Sequence, residues 1–194
     1  YPSLEAQISA ISDDIAYNNH DIQDGIKANL FKLEELVELD FFKDIYHKYK
    51  NKINKKNYKI AIYQIIRDSI DIMIRDLLSN TEKNIKKLKI KSLKDVSKSN
   101  QLIVSFSSKI ENSEQEIRSF LRNRMYDNKS VLNKNQRGKR IIEKLFKIIK
   151  SNPRKFLTKE QLTKDKYRAI SDFISGMTDR FAINLYNDNK WIFL

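Results

Sequence analysis

The 194-residue chain is 40% hydrophobic, enough for a packed core and too much for a disordered segment. No run of about 18 apolar residues offers a membrane span, and the absence of Cys excludes disulfides and thiolate metal sites. The start, Tyr1-Pro2-Ser3, has no signal-peptide character, so a cytoplasmic setting is the expectation. The net charge of +13 fits either a surface for nucleic acid or nucleotides, or lysine drift in a Lys-, Asn- and Ile-rich composition.

Three Gly and two Pro leave few breaks, and apolar residues recur at helical spacing, which predicts an all-α fold. Leu4, Ile8, Ile11, Ile15, Ile22 and Ile26 place one apolar stripe on a first helix. Phe41, Phe42, Ile45, Tyr46 and Tyr49 suggest a shorter one. A long central helix is expected from about Ile60 to Leu88, with Ile62, Ile66, Ile70, Met73, Leu77 and Leu78 inward. Ser97 to Ser108 reads as a loop with an extended segment at Leu102-Ile103-Val104. Ile117, Phe120, Leu121 and Met125 return to helical spacing. A further helix is expected from about Lys134 to Ser151, ending before Pro153. A last one starts near Asp165 and uses Ile170, Phe173, Ile174, Met177 and Phe181. There is no internal repeat and no clean linker.

The first helix carries a second organised face. At about 100° per residue, Asp13, Tyr17 and Asp21 stack at i, i+4 and i+8, opposite the Ile stripe. His20 and Asp24 border this strip, and Ala6 and Ala10 precede it. Carboxylates stacked this way repel by a few tenths of a kcal/mol per pair. Either the strip is an ordinary solvated face, or a cation or sugar hydroxyls give it a purpose. His20-Asp21 has no other His nearby and does not read as a metal-binding pair.

Two longer motifs go further. Pro2-Ser3-Leu4-Glu5-Ala6-Gln7, followed by Ser12-Asp13-Asp14-Ile15-Ala16-Tyr17-Asn18-Asn19-His20-Asp21-Ile22-Gln23-Asp24-Gly25, resembles a signature of the deoxyguanosinetriphosphate triphosphohydrolase-like family of the HD-domain superfamily. Asp172-Phe173-Ile174-Ser175-Gly176-Met177-Thr178-Asp179-Arg180-Phe181-Ala182 is similar to that family's terminal helix. Asp68 to Leu78 and Phe120 to Tyr126 occupy the expected order between them.

The resemblance implies that residues 1–194 form the C-terminal helical part of a metal-dependent dNTP triphosphohydrolase. Such an enzyme converts a dNTP to deoxynucleoside and triphosphate. Asp13 would be the last ligand of a divalent metal, Tyr17 would pack on the sugar and phosphates, and Asp21 would accept from the deoxyribose 3′-hydroxyl. The family's first His and its His-Asp pair should precede Tyr1, so the chain alone is expected to bind metal weakly and to be inactive. A homo-oligomer or the missing N-terminal half is the expected partner, with dNTP as substrate of the complete enzyme. The alternative is a basic helical nucleic-acid-binding module, which no helix-turn-helix or RNA-binding signature supports. Gly176 is expected to permit close helix packing, Asp179 and Arg180 to end a helix as an ion pair or oligomer contact, with a nucleotide role as the alternative, and Trp191 to anchor the terminus.

Overall fold

Ser3 opens the first helix, α1 (Leu4–Lys27), its hydroxyl accepting from the Ala6 amide at 3.3 Å. Glu5 and Lys27 sit at the ends where the helix dipole favours their charges. The computed structural model describes residues 1–163 and 165–189, and Trp191 lies outside them. The chain divides into two compact units, Tyr1–Asn128 and the stretch from Lys129 onward. The architecture is all-α, as the apolar spacing predicts.

In the first unit α1 is followed by α2 (Leu33–Leu36), α3 (Asp40–His47), α4 (Tyr58–Lys87), α5 (Leu93–Lys98) and α6 (Ser108–Leu121). A single π turn, Arg122–Tyr126, follows α6. The long helix α4 is the central element, packed against by α1 and α3, and α1 also meets α6. Its inward face is Ala61, Ile62, Ile65, Ile66, Ser69, Met73 and Leu77. With Ile22, Phe42, Ile45, Ile117 and Leu121 it builds one core, each large buried side chain contributing about 1.5–3 kcal/mol.

Two positions of the stripes expected in the first unit face solvent instead. Leu78 is exposed because Leu77, about 100° away on the helix, takes the inward direction. Ile8 is exposed because its neighbour Gln7 is the buried one. The Gln7 side chain accepts from the amides of Ile103 (2.9 Å) and Val104 (3.1 Å) and donates to the Pro2 carbonyl (2.8 Å). The segment expected to contain an extended stretch follows α5 as irregular chain, and no strand occurs among the described residues. Its apolar residues Ile103 and Val104 are buried, while α4 supplies its polar clamps. Asn84 donates to the Ile103 carbonyl, Asn80 to those of Ser105 and Phe106, each at 2.9 Å, and Asp76 accepts from the Ser107 amide at 2.8 Å.

The second unit contains α7 (Lys129–Ser151), a 3-10 turn at Pro153–Lys155, α8 (Lys166–Ser175) and α9 (Asp179–Asn189). Helices α8 and α9 pack on α7, around Ile149, Leu157 and Ile170. The final helix expected as one piece is two. Gly176 caps α8, and the Thr178 hydroxyl accepts from the Phe181 amide at 3.3 Å to start α9. Gly176 therefore ends a helix and does not serve close packing. A Cβ there would meet only the carbonyl oxygens of Asp172 and Phe173, at 3.6 and 3.7 Å. Asp179 and Arg180 open α9 where they were expected to end a helix, and Phe181 is half exposed.

Candidate functional site

The helical spacing of α1 sends Ile15, Ile22 and Ile26 into the core and leaves Asp13 and Tyr17 outside, with Asp21 half-buried at the edge. Tyr17 is 68% exposed, a large aromatic surface that the core does not use. It borders a cavity of about 730 Å³ between α1 and the end of α6 with its π turn. Asp14, Tyr17 and Asn18 form one wall of this groove, and Arg118, Arg122 and Tyr126 lie among the residues of the other.

Three polar contacts tie the walls together. The Tyr126 hydroxyl donates to the Asp21 carboxylate. Burial, and then this hydrogen bond, push the phenol up to about 12. Asn18 donates to Glu114 at 2.9 Å, both residues buried. Arg118 donates through Nε to Glu114 and through a terminal nitrogen to Asp14, the latter at 2.8 Å. The hydrogen bond that Arg118 donates to Glu114 leads in holding the guanidinium pKa above its ordinary value.

Of the three residues singled out in the sequence, Tyr17 lines this groove and Asp21 is joined to it through the Tyr126 hydroxyl. Asp13 is exposed on the same helix face one turn earlier and has no hydrogen bond or ion pair among the described residues. Asp24 pairs with Lys27 at 3.3 Å, and Arg124 reaches away to Glu35 at 3.1 Å. Ala6 and Ala10 are exposed. No three His, Cys, Asp or Glu side chains gather to hold an ion among the described residues. Asp13 by itself is one ligand where such a site needs several. Asp14, Asn18, Glu114 and Arg118 were not anticipated. Their signal would have been a Glu-Arg pair at i, i+4 preceding Arg122-Asn123-Arg124-Met125-Tyr126, a segment whose π turn is of a kind often found at functional sites.

Residues 104–188 match the family described as Phosphohydrolase-associated domain. More particularly, over nearly its whole length the chain is similar to proteins named deoxyguanosinetriphosphate triphosphohydrolase-like. It is 64% identical to a deoxyguanosinetriphosphate triphosphohydrolase-like protein of Pelagibacter ubique over 94% of its own length and 49% of the relative's. Relatives of the same name are 36% identical in Leptospira interrogans (95% of this chain, 50% of the relative) and 35% identical in Rickettsia typhi (96% and 50%). The chain spans about half the length of the curated relatives it matches.

Proposed function

We propose that this chain supplies the sugar-facing wall of a metal-dependent dNTP triphosphohydrolase, which releases deoxynucleoside and intact triphosphate. The observation that carries the reading is the pairing of Asp21 with Tyr126 beside the exposed ring of Tyr17. A carboxylate whose one oxygen is held by a phenol keeps the other for a sugar hydroxyl, and a flat, solvent-facing ring beside it suits the apolar face of a deoxyribose. In the complete enzyme a divalent ion would polarise the reacting phosphate, with Asp13 as one ligand and the remainder coming from the other half of the family's length. Tyr17 and Asp21 orient the nucleoside against that centre.

The test is a chimera in which this chain replaces the aligned half of the Pelagibacter ubique relative, supplied with dGTP and Mg²⁺ or Mn²⁺. Tripolyphosphate release is expected, abolished by Asp13→Ala and weakened by Asp21→Asn by about 1.5–3 kcal/mol in kcat/KM. Unchanged turnover in Asp13→Ala overturns the ligand assignment. No release at all, with oligonucleotide binding that falls steeply with salt, favours the basic nucleic-acid module instead.

A further inference from the structure

Glu114 is a buried carboxylate with a defined task. It lies four residues before Arg118 on α6, accepts from the Arg118 Nε, and also accepts from the buried Asn18 amide at 2.9 Å across from α1. Held from behind in this way, the guanidinium loses its freedom to swing. Its side chain remains half exposed, and it lies on the groove rather than in the core. A planar guanidinium has five N–H donors, and the two contacts seen employ two of its nitrogens. One terminal nitrogen rests on Asp14 at 2.8 Å, and Asp14, which also lines the groove, is itself half exposed. Two carboxylates thus hold one cation on different terms. The buried one is difficult to displace, because leaving it unpaired carries a desolvation penalty. The exposed one gains little from its pairing and can yield to a stronger anion.

We propose that Glu114, with Asn18, is a positioning residue that presents Arg118 to phosphate oxygens entering the groove, and that Asp14 occupies the anion's place until phosphate displaces it. The inference rests on the proposed function only for the identity of the anion, a triphosphate. Arg118 is the group that touches it, and Glu114 acts through Arg118.

The experiment titrates inorganic tripolyphosphate into this chain at fixed ionic strength and follows the arginine Nε–H resonances by NMR. The Arg118 signal is assigned by its loss in Arg118→Gln. In the wild-type chain this signal should shift with about millimolar affinity. Asp14→Asn should tighten binding, since the internal competitor is gone. Glu114→Gln is decisive because two effects oppose each other. Removing a negative charge would by itself favour an anion, whereas loss of positioning should weaken binding about fivefold. Binding by Glu114→Gln as tight as wild type or tighter overturns the proposal. Should that variant melt, Glu114→Asp keeps the charge and shortens the reach; it too should bind more weakly, and wild-type affinity there overturns the proposal. A stationary Arg118 signal while lysine signals move also overturns it. An inactive chimera alongside intact Arg118-centred binding would reject the enzymatic reading and leave this one standing.

Discussion

The Tyr126 hydroxyl donates a hydrogen bond to Asp21, so the contact survives only while the phenol is neutral. Its pKa is raised above the ordinary value of 10.0 to about 12, by burial first and by Asp21 second. The folded state therefore holds its proton more tightly than the unfolded chain does. The stabilisation is fully present below about pH 10 and is lost as pH rises towards 12. We expect Tyr126→Phe to lower stability at neutral pH by about 1 kcal/mol and to remove one late-titrating phenol from the absorbance titration. The difference in melting temperature between the two proteins should shrink across that window. A constant difference up to pH 12 would mean that the hydrogen bond contributes nothing. Tyr49 and Tyr58, whose phenols burial also raises, should titrate late in both proteins.

Helix α1 ends against an aromatic ring, and the residue at the contact is Gly25. A Cβ built there would lie 2.2 Å from Phe31 Cε1 and 2.4 Å from Cζ. Phe31 is buried and stands edge-on to Phe120 with centroids 4.9 Å apart, so the ring has little room to retreat. Gly25→Ala should gain about 1 kcal/mol of helix propensity and lose about 1–3 kcal/mol to overpacking. The expected outcome is a lower urea midpoint with an unchanged slope. The same local view explains what could be read from the chain beforehand. Helices α1 and α4 were legible because their Ile, Met and Leu residues repeat at helical spacing, and the acidic strip of α1 stood out by its isolation from lysine. The break between α8 and α9 was not, because Phe173, Met177 and Phe181 keep helical spacing straight across it while a single Thr178 hydroxyl marks the restart. The far wall of the groove was hidden for another reason. Glu114 and Arg118 stand 96 and 104 positions from Asn18 and Asp14, and alone they resemble any solvated i, i+4 pair.

The two units differ in what holds them. The main core cluster, from Ile15 to Leu121, lies wholly within residues 1–128, whereas the cluster of the second unit centres on Ile149, Leu157 and Ile170. Residues 1–128 made alone should unfold cooperatively in urea and keep the late-titrating Tyr126, while the stretch from Lys129 alone should be marginal for want of buried area. Non-cooperative unfolding of the 1–128 fragment would contradict its standing as a self-sufficient unit. The stretch matched as phosphohydrolase-associated, 104–188, begins inside the first unit and ends inside the second. The bounds of the match are then not the bounds of the packed units. A recombination that exchanged 104–188 between two divergent parents would take Glu114, Arg118 and Tyr126 from one and Asn18, Asp14 and Asp21 from the other, splitting all three cross-groove pairs. A crossover between Asn128 and Lys129 would pass the whole set on from a single parent, so viable hybrids should be enriched for breakpoints there and depleted of them between Asp21 and Glu114.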